Sequence, residues 1–225
     1  MSSTAKFFTP VLVIGCIIIL VSFSIRSSFG QFQIPISAEF GWPRTYFSLA
    51  IAIQNLAWGV GQPIFSAIAE KIGDRKAIFM GGLVYAAGLI LSSMAISPES
   101  HQAYEILVGF GIAGTGFGVI LAVVGRASSD KHRSMSLAVA TAAGSGGQIF
   151  GPLLAEWLLS FVSWQSVFMI FACAISVALF TLPFMRAPQN NNLYDRDQSL
   201  REILGKAFKD PSFAMLFLGF FSCGY

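Results

Sequence analysis

Charge is scarce in this sequence. Asp, Glu, Lys and Arg make up 11% of its 225 residues, against about 25% in soluble domains. Hydrophobic residues reach 55% and the mean hydropathy is +0.69. An ordinary soluble domain is excluded. The in–out alternation of a membrane barrel strand is also missing, which leaves helices to satisfy the backbone in lipid. Cysteine is sparse and odd in number: Cys16, Cys173 and Cys223 each sit in an apolar run with no short spacing. That pattern excludes a disulfide frame and a metal site, and reads as small packing residues. The two histidines, His101 and His132, fall in different short loops and are not expected to share a metal. The serines lack a paired histidine, no Gly-rich loop follows a strand with a Lys, and no carboxylates pair within the apolar runs, so neither an enzyme nor a cofactor is expected. The first apolar run is too long for a signal peptide and has no small-residue cleavage site, so it stays as the first span.

What is present is a series of seven apolar stretches. Six are of spanning length, at about 9–30, 46–68, 77–97, 103–125, 136–159 and 164–184. The expected fold is an all-α integral membrane protein with a six-helix bundle over 1–185, a polar central loop over 186–210, and the start of a seventh span over 211–225. Within the loop, Ser199 to Phe208 has the pattern of an amphipathic surface helix, with Leu200, Ile203, Leu204, Ala207 and Phe208 on one side. Pro211 to Tyr225 would reach only about 22 Å as a helix, short of the ~30 Å hydrocarbon core. This predicts a fragment: the front part of a longer polytopic protein, partnered by a carboxyl-terminal bundle outside the sequence.

Basic residues orient the bundle. With alternating spans, Lys6, Lys71, Arg75, Lys76, Arg126, Lys131, Arg133, Arg186, Arg196, Arg201, Lys206 and Lys209 share one side, and Arg26 and Arg44 fall towards the other. The positive-inside rule makes the crowded side, with the amino terminus, cytoplasmic. Acids are mixed in and the net charge is +3, so the pattern reports topology rather than nucleic-acid binding. The expected partners are the bilayer and a small-molecule substrate, in a cytoplasmic membrane.

Four polar residues are candidates for substrate contact. Arg26 lies within the first span, in its expected outer third. A charge at the centre of a span costs about 2.5–3.5 kcal/mol on insertion scales. Either it faces a water-filled cavity and pairs with a substrate carboxylate, or it snorkels to the headgroups. Gln54, Trp58, Gly61 and Gln62 share a helix face, with Asn55 beside it, and Gln148 shares a face with Ser145 and Pro152. Their amides line a pathway or join helices. No acid stands at mid-span; Glu105 and Glu156 come nearest, towards outer ends.

Three motifs carry a resemblance. Ser66 to Lys76 reads S-A-I-A-E-K-I-G-D-R-K, similar to the cytoplasmic loop of the major facilitator superfamily, G-x-x-x-D-R-x-G-R-R. Ser66 stands for the first Gly, Glu70 for the Asp and Lys71 for the Arg; Gly73, Arg75 and Lys76 fit, and Asp74 departs from the pattern. The resemblance implies a latch between two transporter halves. Gly147, Gly151 and Pro152 resemble the family's fifth-helix G-x-x-x-G-P, with close helix packing as the plain alternative. Phe40 to Thr45, Arg26 to Gly30, Gln54 to Pro63 and Phe220 to Tyr225 resemble the monocarboxylate and oxalate/formate porter branch. The Arg that often precedes the fourth-span glycines of proton-coupled relatives has no counterpart among Tyr104 to Leu107.

The resemblance implies a twelve-span secondary transporter working by alternating access, with Arg26, Gln54, Asn55 and Gln148 as this half's share of an organic-anion site. A six-span channel, a non-transporting membrane subunit and a drug exporter of the same superfamily are the alternatives.

Overall fold

The computed structural model describes residues 8–185 together with Lys209, Pro211 and Met215. The expected loop over 186–210 and seventh-span segment over 211–225, with Cys223, lie outside the described residues apart from those three.

Local chemistry sets the helix ends. Thr9 accepts a hydrogen bond from the Leu12 N–H at 3.2 Å, and Pro10 takes the first position of α1, Pro10–Ser28. A 3-10 turn, Phe29–Phe32, leads into α2, Gln33–Phe40, which stops at Gly41 with φ +67°. Helix α3, Arg44–Ile72, runs back until Gly73 adopts φ +97°, and α4, Asp74–Ser93, returns. Ser97 and Ser100 cap each other's backbone N–H groups at 3.2 Å, starting α5, Pro98–Thr115. After a break at Gly116 come α6, Phe117–Ala127, then α7, Arg133–Leu159, and α8, Trp164–Leu179.

These helices make six membrane-length segments, as the sequence predicts, with shifted bounds. Pro10–Phe40, Asp74–Ser93, Pro98–Ala127, Arg133–Leu159 and Trp164–Phe184 are each long and apolar enough to cross a bilayer. The sixth, α3, is 29 residues long, and its amides Gln54, Asn55 and Gln62 lower its hydropathy. The first segment extends well past residue 30 because the 3-10 turn joins α1 to α2 instead of ending the helix. The fourth is two helices because Gly116 leaves helical geometry.

Packing depends on close backbone approach. Helix α1 lies mainly on α7, and α5 sits between α3 and α4, with α8 behind α4. A methyl group added at Gly151 would overlap the Ser24 carbonyl oxygen of α1, and one at Gly147 would overlap Leu20 O. On α5, a methyl group at Gly109 would overlap Gln54 O and one at Gly111 would overlap Tyr85. Glycine is therefore the residue that lets these pairs meet. At their centre Ser22 and Thr115 share a hydroxyl hydrogen bond of 2.8 Å, and the Tyr85 hydroxyl donates to Ser22 O at 3.1 Å. Two apolar clusters fill the space on either side, one around Ile18, Phe23, Ile78 and Ile120, the other around Phe29, Phe32, Phe168 and Phe171. Outside, α7 exposes Ile149, Phe150, Leu153, Leu154 and Trp157, and α3 exposes Leu56 and Val60. Hydrocarbon or another helix is the environment that suits such a surface. Both interior prolines, Pro63 and Pro152, lie within continuous helices, as membrane segments tolerate.

Replacing Gly151 with Val is expected to force α1 and α7 apart, with an overpacking penalty of about 1–3 kcal/mol. A methyl group at Gly146 meets nothing within 4 Å, so Gly146→Ala should leave stability unchanged. Thermal unfolding of the detergent-purified variants checks the contrast.

Candidate functional site

The first site residue to place is Arg26. It ends α1, but the continuation into α2 puts it near the middle of the 31-residue segment Pro10–Phe40, not in the outer third expected from the sequence. Its Nη2 donates to Asn55 Oδ1 on α3 at 3.1 Å. Its guanidinium carbon lies 4.5 Å from the centroid of the Trp58 ring, a cation–π contact worth about 0.5–2 kcal/mol. Phe23 meets the same indole edge-on, with centroids 6.0 Å apart, fixing the ring beneath the charge. Two donors in the cluster, Arg26 Nε and Trp58 Nε1, are buried without a hydrogen-bond partner among the described residues. Buried donors left unpaired are costly, so the cluster has hydrogen-bonding capacity that its own described residues do not use. Asn55 is exposed and Arg26 only half-buried, so the cluster opens to the surface of the bundle.

Gln54, next in sequence to Asn55, takes a different direction. It is 1% exposed, and its Nε2 donates to Glu105 Oε2 on α5 at 2.7 Å. Ser92 of α4 donates to the other carboxyl oxygen at 2.9 Å. Glu105 is fully buried, and His101, one turn earlier, places Nε2 3.9 Å from Oε1. The sequence suggested a loop for His101; the Ser97 cap instead starts α5 before it, and the imidazole is 2% exposed. It stacks on Phe47 at 5.9 Å and faces Trp42 at 6.3 Å. This polar cluster was missed from the sequence, although the spacing of His101, Glu105, Val108 and Ile112 signals one buried helix face. Gln148 is exposed on α7 and makes no hydrogen bond to Arg26, Asn55 or Trp58. The structure thus bonds Arg26 to Asn55 and Gln54 to Glu105, and Gln148 makes no hydrogen bond to either pair.

At the opposite end of the bundle, Gly73 joins α3 to α4. Ser66, Glu70, Lys71, Arg75 and Lys76 are exposed there. The ion pair at this turn belongs to Asp74, whose Oδ1 binds Arg126 Nη2. Asp74 is in the first turn of α4 and Arg126 in the last turn of α6, so each charge also complements its helix dipole. Arg133 donates from Nε to Gly125 O at 3.1 Å and pairs with Asp130 at 3.1 Å. At the Arg26 side, Glu39 of α2 accepts from the Trp164 indole and from Gln165 Nε2 of α8.

Comparison with known proteins gives this arrangement its context. The family described as Major Facilitator Superfamily matches residues 14–225. Monocarboxylate transporter 13 of Bos taurus is 32% identical over 150 residues, which cover 66% of this chain and 34% of that protein. The methyl viologen resistance protein SmvA of Salmonella typhimurium is 29% identical over 132 residues, covering 59% of this chain and 25% of its own length. The uncharacterized MFS-type transporter YcxA of Bacillus subtilis is 24% identical over 215 residues, 90% of this chain and 50% of that protein. This chain spans between a quarter and a half of the length of these relatives. With six membrane-length helical segments in order, a glycine turn between the second and third, and a family match that runs through all of them, the chain belongs to the major facilitator superfamily.

Proposed function

We propose that this bundle is the amino-terminal half of a secondary transporter that carries a small organic anion by alternating access. The observation that supports the anion is the Arg26 cluster: a cation near mid-segment, stacked on Trp58, with Arg26 Nε and Trp58 Nε1 both lacking acceptors among the described residues. A carboxylate matches the guanidinium in charge and offers more than one acceptor site. Asn55, which already binds Arg26, holds the guanidinium towards the opening. Gln148 is a separate exposed amide on α7, and Gln54 acts from behind through Glu105. No reacting bond or nucleophile is needed; the work is recognition and exposure to alternate sides.

Alternating access needs a second bundle for this one to rock against. The exposed apolar faces of α3 and α7 supply the contact, and the turn carrying Ser66, Glu70, Lys71, Gly73, Arg75 and Lys76 supplies the latch. Gly147, Gly151 and Pro152 hold α7 against α1 so that both move as one body. The basic end, with Lys71, Arg75, Lys76, Arg126, Lys131 and Arg133, is the cytoplasmic one under the positive-inside rule, in a cytoplasmic membrane with the amino terminus inside. A drug-exporting reading draws on the printed names of the resistance-protein relatives; the cationic cluster favours the anion.

Uptake of acetate and lactate by the complete gene product in proteoliposomes tests this. Arg26→Gln is expected to lower kcat/KM by about 10–100-fold, the scale of a lost charged hydrogen bond. Arg26→Lys should recover little, since an ammonium lacks the planar fork and stacks poorly. Trp58→Phe, which keeps the ring and removes the N–H, should cost about tenfold. Wild-type uptake of no carboxylate, or an unaffected Arg26→Gln, would overturn the anion assignment.

Orientation is tested separately. In a cysteine-free background, a Cys at Ser129 should react with a membrane-impermeant thiol reagent only from the cytoplasmic side. A Cys at Ser160 should react only from outside, and the reverse labelling would invert the topology.

A further inference from the structure

The substrate cluster makes no direct use of the polar group buried between α3, α4 and α5. Glu105 is fully buried and His101 is 2% exposed. Both carboxyl oxygens accept hydrogen bonds, from Gln54 at 2.7 Å and Ser92 at 2.9 Å. Neither donor carries a charge. The basic group within reach is His101, 3.9 Å away, and both of its ring nitrogens are buried without a hydrogen-bond partner among the described residues. Among the described residues, the other neighbours offer no counter-charge at contact distance. On α3 they are Gln54 and the Phe47 ring; on α4, Ser92 and Tyr85, whose hydroxyl donates to Ser22 O. Arg26 on α1 is bonded to Asn55 and makes no ion pair with Glu105. The Trp42 ring faces the imidazole from the connection ahead of α3.

A carboxyl and an imidazole enclosed this way can be neutral as a pair only if they hold one proton. With it on Glu105 both groups are uncharged; with it on His101 they form an ion pair. With no proton, one negative charge is left among apolar rings.

We propose that Glu105 and His101 form a proton-binding site in which one shared proton keeps the enclosed pair neutral. Proton binding and release there act on α3, because Gln54 is bonded to Glu105 and the next residue, Asn55, is bonded to Arg26. The site therefore stands one residue along α3 from the proposed anion cluster. Its existence does not depend on that cluster binding an anion; only the link between the two does.

Infrared difference spectra of the purified complete gene product in lipid, taken through steps of pH, test the site without any substrate. Wild type is expected to show the C=O stretch of a protonated buried carboxyl group, lost over a defined pH interval. Glu105→Gln, which keeps acceptor and donor atoms for Ser92 and Gln54, should lack that band. His101→Asn should shift the interval by about one pH unit or more, and it gives an independent reading if Glu105→Gln fails to fold. The same titrating band in Glu105→Gln, no titrating band in wild type, or an unmoved interval in His101→Asn would overturn the proposal. Loss of uptake in Arg26→Gln together with an intact titration would separate the anion site from the proton site.

Discussion

Close contact between helix backbones is the constraint on which the rest of this bundle depends. Lipid chains are as apolar as leucine, so helices in a bilayer gain little from hydrophobic burial against one another and associate through packing and hydrogen bonds. Gly147 and Gly151 bring α7 onto the α1 backbone at Leu20 and Ser24, just before Arg26. Gly109 and Gly111 bring α5 onto α3 at Gln54 and onto α4 at Tyr85. That second approach allows the Gln54 amide to reach Glu105 at 2.7 Å. With a side chain at Gly109 the helices would separate and the polar cluster would lose its α3 partner.

Charged groups are handled differently according to depth. At the basic end, Asp74 and Arg126 pair directly and gain from the helix ends on which they sit. Near mid-segment, Arg26 has no carboxylate in contact among the described residues; an aromatic face and an amide hold it, and part of its hydrogen-bonding capacity is unused. Glu105 has two neutral donors and a histidine. A cation paired with a carboxylate suits a structural join, even with Arg126 Nε unbonded among the described residues, whereas groups without a counter-charge in a low-dielectric interior are the ones a ligand or a proton can act on.

Family relatives do not decide the cargo. Their printed names include a monocarboxylate transporter and resistance proteins, so membership leaves the substrate to the site. The donor set around Arg26 is the feature of this chain that points to an anion.

The sequence by itself determined the class, the six membrane-length segments and their order. Hydropathy over some twenty residues and the absence of barrel alternation are local properties, and lipid permits few solutions for a backbone. Basic residues at alternate loops and the glycine spacing on α7 were legible for the same reason. Only the tertiary structure decided which polar groups meet. Adjacent Gln54 and Asn55 diverge to Glu105 and Arg26 because neighbouring positions on a helix point about 100° apart and α5 and α1 lie on different sides. His101 looked like a loop residue until the Ser97–Ser100 cap started α5 ahead of it. Arg26 moved from the outer third to the middle because α1 continues through a 3-10 turn. Each of these outcomes turns on helix rotation and on contacts between distant segments, which residue order alone does not encode in readable form.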